Sequence, residues 1–376
     1  MDDPPGLDDV VAAMRDEPVY GLDTEFHGER SYFPKLALLQ CSWSSGIALI
    51  DPLAVDVAPL AEILQGDATM VTHAGDQDLA ILERATGTRP TRLFDTQVAA
   101  GFIGMGQPGL AELVRRVTGD AMAKGQQLTD WTRRPLDDNQ RRYAAADVEY
   151  LLELHDELWR SLEKAERLDW ALDECEELLE RDRTSRDPDT AWWKIKGSRR
   201  FRGETRRVAQ SVAAWRERTA MERDLPARFV LSDLALAGIA QRRPQNAKQL
   251  QGIRGLDGRG LGERAQREVL KAVEDGIALS DNAVMRPPAG QELDRSLGPA
   301  ANVVLAFANQ CAADLDLHSS ALATRADVID YLRDRTGRLA HGWRHEVLAE
   351  PIERLLDGSA ALGLRAEGGL RLIDLA

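Results

Sequence analysis

Hydrophobic and polar positions follow two periods over residues 1–170. Short apolar runs bounded by turn residues predict strands, and apolar positions three and four residues apart predict helices. The runs PVYGLDTEF, KLALLQCSW and GIALIDPL predict three successive strands, and TMVTHAG and RLFD predict two more. The segment DQDLAILERATG predicts a helix that ends at Gly87. Strands and helices that alternate in this way are typical of an α/β domain.

The pattern becomes helical towards the end of this region. A long helix is predicted over about 138–165, and no strand is predicted beyond Trp170. A chain of 376 residues suits two or three domains. The predicted segments are an α/β domain over 1–170, a charged linker over 171–203, helical domains over 204–278 and 297–376, and between these a polar linker with paired prolines over 279–296.

The composition predicts a cytoplasmic protein without a membrane segment. The chain is 43% hydrophobic and 29% charged, and it contains no apolar run near the ~18 residues that cross a bilayer. The acidic start MDDPPGLDDV is unlike a secretory signal. The three cysteines, Cys41, Cys175 and Cys311, lack metal-ligand spacing, which favours reduced thiols inside a core.

The net charge of −14 is distributed unevenly. Residues 192–254 contain 15 Lys and Arg against 5 Asp and Glu, which suits a phosphate-bearing partner, although charge runs also form plain solvated surfaces. We favour RNA contact for the block as a whole. Its aromatic residues could stack on bases, but for each of them core packing is the favoured role. These residues are Trp192, Trp193, Phe201 and Trp215.

Acidic residues mark three places in the α/β region. Asp23 and Glu25 lie two positions apart on the first predicted strand, so that their side chains share one face. Asp78 lies at the start of a predicted helix. Tyr143 and Asp147 are spaced i, i+4, which places them on the same face of the long helix. If these elements meet, four carboxylates converge beside a tyrosine.

Such a cluster requires cations. Two carboxylates ~4 Å apart repel by about 4 kcal/mol at an effective dielectric of 20. Oxygen-only ligands suit Mg²⁺ or Mn²⁺. Two divalent ions of this kind are the usual clamp for attack by water on a phosphodiester. The carboxylates therefore predict a hydrolase that uses two divalent metal ions.

These motifs resemble a known family. DTEF, HAGDQDL and YAAAD, in this order and spacing, resemble the motifs of the DEDD superfamily of 3′–5′ exonucleases, tyrosine subclass. ERSYFPKLALLQ, ALIDPL, LFDTQVAA, TDWTRRPL and YAAADVEYLL are similar to the ribonuclease D family. VAAWRERTAMERDLPARFVLSD resembles a helicase-and-RNase-D C-terminal (HRDC) domain, and the last segment occupies the place of a second one.

The resemblance implies a ribonuclease-H-like α/β fold with a mixed sheet flanked by helices, followed by two all-α HRDC-type domains. It implies a 3′–5′ exoribonuclease that releases 5′-mononucleotides from the 3′ ends of tRNA precursors and other structured RNAs. Four carboxylates would bind the metals, and Tyr143 would orient the attacking water. The four are Asp23, Glu25, Asp78 and Asp147.

Two other functions stay open. The same acids could degrade single-stranded DNA, and a non-catalytic RNA-binding protein could retain the fold. We expect the protein to be a monomer.

Several further residues could have been ligands. Asp78 is favoured over Asp76, and Asp95 is favoured as a helix cap rather than as a metal ligand. The spacing of His341 and His345 fits a metal pair, but no third ligand is evident, so a structural pair is favoured. Lys124 could contact phosphate or lie on a plain surface.

Overall fold

The computed structural model describes residues 1–122, 129–183, 187–256, 261–285 and 297–375. These residues fall into two compact units. The first contains the described residues of Met1–Glu25, Leu36–Arg181 and Gln291–Ala376, and the second contains those of Phe26–Lys35 and Asp182–Gly290. The predicted residue Lys124 and most of the predicted linker over 279–296 lie outside the described residues. The boundaries of the five predicted segments stay a prediction.

A five-stranded mixed sheet forms the centre of the first unit. Its strands are β1 Val19–His27, β2 Lys35–Trp43, β3 Gly46–Ile50, β4 Thr69–Thr72 and β5 Arg92–Asp95. Their order in the sheet is β3-β2-β1-β4-β5. β1 pairs with β4 and β4 with β5 in parallel, whereas β2 and β3 form an antiparallel hairpin. The apolar runs of the sequence therefore become strands as predicted.

Helices flank this sheet, which confirms the predicted α/β class of the first domain. Gly87 ends the helix after β4 in the left-handed conformation, with φ of 77°, as the sequence indicates. The predicted helix over 138–165 is interrupted at Tyr150, where one helix ends and the next begins. The helices are α1 Pro4–Met14, α2 Ala61–Leu64, α3 Asp76–Thr86, α4 Thr96–Gly101, α5 Leu110–Val117, α6 Asp138–Glu149, α7 Leu151–Lys164 and α8 Leu168–Glu180.

The second unit is helical around its own core. Gly276 lets one of its helices approach another closely, because a Cβ there would lie 2.6 Å from the Cα of Val208. Trp192 and Phe201 are buried in this core, and Trp193 and Trp215 pack against it, which confirms core packing for these aromatics. The helices are α9 Gly203–Arg223, α10 Ala227–Val230, α11 Asp233–Arg242, α12 Ala247–Gln251 and α13 Glu263–Ala278.

The C-terminal segment is helical up to Leu356 and ends in a β-hairpin. Its helices are α14 Leu297–Asp314, α15 Ser319–Leu322, α16 Arg325–Asp334, α17 Gly342–Arg344 and α18 Glu350–Leu356, and its antiparallel strands are β6 Ala360–Leu364 and β7 Leu370–Asp374. The prediction that no strand follows Trp170 is therefore wrong. The hairpin forms because Gly368 and Gly369 adopt positive φ angles of 93° and 91° and turn the chain between two short apolar runs.

This segment shares one hydrophobic core with the α/β domain of the first unit. Side chains of α7 and α4 and those of α14, α16 and α18 belong to the same buried cluster. Trp170 stacks on Trp343 with ring centroids 4.9 Å apart, and Phe102 meets Trp343 edge-on at 5.2 Å. The shared core fixes the C-terminal segment to the α/β domain. Among the described helices of the chain, none is long and apolar enough to span a bilayer.

Candidate active site

The second half of β1 presents Asp23 and Glu25. Leu22 and Thr24 are buried on one face of the strand, and Asp23 and Glu25 are half-buried on the other, because side chains alternate between the two faces of a strand. Gly21 allows the strand to pass close to α7, since a Cβ there would lie 3.1 Å from the Cβ of Leu151. The strand thus carries its acids in a packed environment.

The N-terminal turn of α3 brings Asp78 to this strand. Its carboxylate accepts a hydrogen bond from the hydroxyl of Thr24, and the side chain is only 7% exposed. Asp76, two positions earlier, is exposed, and its carboxylate lies 3.8 Å from the guanidinium of Arg181. The structure therefore brings Asp78 to the other acids and leaves Asp76 at the surface.

The helix α6 supplies Tyr143 and Asp147. It begins with a capping box: the Asp137 carboxylate accepts from the backbone N–H of Gln140, and the Gln140 side chain accepts from the backbone N–H of Asp137. Ala144 is fully buried and packs among the core residues beside β2. The small residue lets the helix approach the sheet. The hydroxyl of Tyr143 hydrogen-bonds the carboxylate of Asp147 one turn later.

The four carboxylates interact electrostatically. Burial raises the pKa of Asp23 well above its usual range, and the charges of Asp78, Asp147 and Glu25 raise it further. Burial, with Asp147 and Asp78, raises the pKa of Glu25 to about 8. Burial raises the pKa of Asp78 to about 6 and that of Asp147 to about 7, while hydrogen bonds from Thr24 and Tyr143 oppose these increases. A site of this kind stabilises positive charge.

The donor chemistry of the site fits hard divalent cations. All four groups offer oxygen, the ligand type that Mg²⁺ and Mn²⁺ prefer. As the described side chains stand, no three His, Cys, Asp or Glu groups form an arrangement that could hold a metal ion. Asp78 accepts from Thr24 and Asp147 from Tyr143, which orients both carboxylates beside β1.

Asp95 and Thr24 support the site and were not predicted to do so. Asp95 caps α4, as the sequence indicates, but it also accepts hydrogen bonds from Ala74 and Gly75, which precede α3. The bonds from Thr24 to Asp78 and from Ala74 and Gly75 to Asp95 join residues that are distant in sequence. The position of Asp95 at the end of the strand RLFD predicts a helix cap, but no local sequence feature predicts its bonds to Ala74 and Gly75.

The histidines take structural positions. Nδ1 of His73 lies 2.9 Å from the hydroxyl of Thr96, which ties the end of β4 to the start of α4. Nδ1 of His345 lies 3.8 Å from Glu350. Within the described part of the chain, His341 and His345 belong to no group that could hold a metal ion.

Comparison with protein families identifies two regions. Residues 1–163 match the model described as 3′–5′ exonuclease, and residues 205–273 match the model of the HRDC domain. Ribonuclease D of Gluconacetobacter diazotrophicus is 34% identical over 95% of this chain and 92% of its own length. Ribonuclease D of Jannaschia sp. is 35% identical over 93% of both chains.

Solved structures give the same result. The crystal structure of Escherichia coli RNase D, described as an exoribonuclease involved in structured RNA processing, aligns with a TM-score of 0.84 and 31% identity. The alignment covers 95% of this chain and 98% of that one. The catalytic core of RRP6 from Trypanosoma brucei aligns with a TM-score of 0.61 and 26% identity over 74% of this chain and 79% of that one.

Proposed function

This chain belongs to the ribonuclease D family and is a 3′–5′ exoribonuclease, and we propose that hydrolysis takes place at the carboxylates of β1, α3 and α6. The single observation that supports this location is the convergence of four acids on one site, where burial raises the pKa of all four and the charges of Asp78 and Asp147 raise those of Asp23 and Glu25 further. Isolated surface acids would not show these shifts. Mutual repulsion of buried carboxylates costs stability, and catalysis is the physical reason to retain it.

Asp23, Glu25, Asp78 and Asp147 would hold two divalent cations, Mg²⁺ or Mn²⁺. Two such ions supply Lewis-acid stabilisation of the attacking and leaving oxygens of a phosphodiester. The carboxylates provide the negative charge that retains the ions. Because protonated carboxyls bind cations poorly, the raised pKa values make metal binding dependent on pH.

Tyr143 is assigned to orienting the water. A free phenol has a pKa near 10, so the hydroxyl is a poor base at neutral pH. Its hydrogen bond to Asp147 fixes the ring beside the acids. A hydroxyl whose proton is donated to Asp147 can accept a hydrogen bond from a water molecule and help to align it for in-line attack. The side chain therefore acts by position.

The second unit would bind the RNA. Most of the basic side chains of residues 192–254 are exposed, whereas Arg207, Arg216 and Arg243 are engaged in ion pairs. The ring of Phe229 is 57% exposed, and the guanidinium of Arg228 lies 5.2 Å from its centroid. An exposed ring beside a cation suits an unpaired base next to phosphate. The exposed cations are Lys194, Lys196, Arg199, Arg200, Arg202, Arg218, Arg223, Arg228, Arg242, Lys248 and Arg254.

The substrates would be the 3′ ends of tRNA precursors and other structured RNAs, released as 5′-mononucleotides. The description of the E. coli relative as an enzyme of structured RNA processing supports this class. We also propose that the protein acts as a monomer in the cytoplasm. Its three cysteines are free, as expected in a reducing compartment.

An Asp23→Asn variant tests the location of the site. The amide keeps the shape of the side chain and removes one negative charge from the cluster. We expect the rate of RNA hydrolysis to fall at least ~100-fold, and Mn²⁺ binding measured by calorimetry to weaken, since a metal ligand is lost. Unchanged activity together with unchanged Mn²⁺ affinity in a folded variant would refute the assignment.

A further inference from the structure

The carboxylate of Asp95 is an unusually saturated acceptor at the end of β5. Its side chain is 1% exposed. Oδ1 accepts from the backbone N–H groups of Gln97 at 2.9 Å and Val98 at 3.2 Å, the first turn of α4. Oδ1 also accepts from Ala74 at 3.1 Å, and Oδ2 accepts from Gly75 at 2.9 Å. A helix cap accounts for only the first two bonds.

The other two bonds hold the turn between β4 and α3. Ala74 has φ of 57°, a left-handed conformation that costs a residue with a Cβ about 1 kcal/mol or more. Gly75 lies so close to Thr72 that a Cβ would stand 2.4 Å from its methyl group. Gly75 occupies the N-cap position of α3 and supplies no side-chain cap. Asp95 therefore stabilises a strained turn from outside the helix.

This turn determines where Asp78 stands. The carbonyl of Gly75 accepts from the N–H of Leu79 in the first turn of α3, so the turn and the helix start move together. Asp78 lies three residues after Gly75 and one before Leu79. A shift of the turn would carry Asp78 away from Thr24 and from the acids of β1. An error of about 1 Å at such a group can cost ~100-fold in rate.

We propose that Asp95 is a positioning residue for metal binding, which sets the backbone that carries Asp78. The inference rests on the proposed role of Asp78 as a metal ligand. Asp95 itself would touch neither metal nor substrate, because its side chain is 1% exposed and is directed at four backbone N–H groups. An amide in its place has a single acceptor oxygen and directs an N–H₂ group at one of those donors.

Two substitutions separate capping from positioning. Asp95→Asn keeps the size of the side chain and loses one acceptor. Asp95→Ser retains a good N-cap for α4 but is too short to bridge to Ala74 and Gly75 as well. If Asp95→Asn does not fold, Asp95→Ser still carries the test. Two variants on the same helix turn serve as controls. Asp76→Asn should leave Mn²⁺ affinity unchanged, and Asp78→Asn should lower it.

The measurement is Mn²⁺ binding to the full chain without RNA, followed by the electron paramagnetic resonance of free Mn²⁺. We expect Asp95→Ser to bind Mn²⁺ roughly 10- to 100-fold more weakly than the parent. In RNA hydrolysis we expect kcat at low Mn²⁺ to fall, to recover at high Mn²⁺, and KM for RNA to stay constant. Thr324→Ala, which removes a cap from α16, should lower the melting temperature and leave Mn²⁺ affinity unchanged.

Parent-like Mn²⁺ affinity in folded Asp95→Ser, alongside loss in Asp78→Asn, would overturn the inference and leave the proposed function intact. Parent-like affinity in Asp78→Asn would overturn the ligand role of Asp78, and with it both the inference and this part of the proposed function.

Discussion

Asp23 and Glu25 share one face of β1, and burial with repulsion from Asp78 and Asp147 raises the pKa of both. Without cations the folded protein therefore binds protons that the unfolded chain releases. The unfolded groups titrate near pH 4. Below that pH both states are protonated and the penalty is absent. Above the raised pKa, about 8 for Glu25, the penalty is fully present.

This linkage predicts that the free energy of unfolding of the metal-free protein falls as pH rises from about 4 to about 8. Asp23→Asn should raise the melting temperature at pH 8 by roughly 1–2 °C for each kcal/mol of burial cost and repulsion removed, and by little near pH 4. Scanning calorimetry in a chelator would measure both. Asp76→Asn, which removes an exposed acid, is the control and should change the melting temperature little at either pH. An equal change in the melting temperature of Asp23→Asn at the two pH values would contradict the predicted linkage.

At the residue scale, local spacing predicts which acids converge but not what holds them. Asp23 with Glu25, and Tyr143 with Asp147, share faces because of strand and helix periodicity, and the structure brings each pair to the site. Asp95 and Thr24 contact groups far away in sequence, so their roles depend on tertiary packing that no single segment encodes.

At the scale of elements, strands bounded by turn residues were predictable and subtler boundaries were not. The helix over 138–165 keeps its apolar period through Tyr150, where the chain nevertheless forms separate helices α6 and α7. The hairpin of β6 and β7 escaped prediction because its strands are five residues long and interrupted by Gly363. Their pairing depends on the turn at Gly368 and Gly369.

The short helix α10 carries a prediction about RNA affinity. Phe229→Ala removes the exposed ring beside Arg228, and a stacked base contributes about 1–3 kcal/mol. We therefore expect affinity for single-stranded RNA, measured by fluorescence anisotropy in EDTA, to fall roughly 5- to 150-fold. Leu234→Ala is the matched control, since Leu234 is 54% exposed and apolar. Equal RNA affinity of the two variants would show that Phe229 does not stack on bases.

At the scale of the whole molecule, the C-terminal segment is part of the first unit and not a separate appendage. Arg344 is 2% exposed, pairs with Glu174 on α8, and donates to the carbonyl of Ala321 at 2.8 Å. Arg338 lies 2.9 Å from the same glutamate. The sequence predicts the helices of this segment, but the shared core depends on side chains, such as Trp170 and Trp343, from distant regions.

Arg344→Leu should therefore lower the free energy of unfolding more than the loss of an exposed ion pair does. Removing one partner leaves Glu174 partly uncompensated in a buried site, which costs about 3–5 kcal/mol. Arg365→Leu breaks the exposed pair with Asp314 and should cost about 0–1 kcal/mol. Urea unfolding of both variants measures the difference. Equal losses would mean that the buried network does not hold the segment in place.

The central claim is that this chain shortens RNA from its 3′ end with carboxylate-bound cations. Digestion of a 5′-labelled single-stranded RNA and of its DNA counterpart, with Mg²⁺, Mn²⁺ or EDTA, tests it most directly. We predict a ladder of RNA products that shorten from the 3′ end in either metal and no cleavage in EDTA. A stronger ladder on DNA would contradict the assignment to RNA. No cleavage of RNA in any metal by the folded protein would contradict the proposed active site itself.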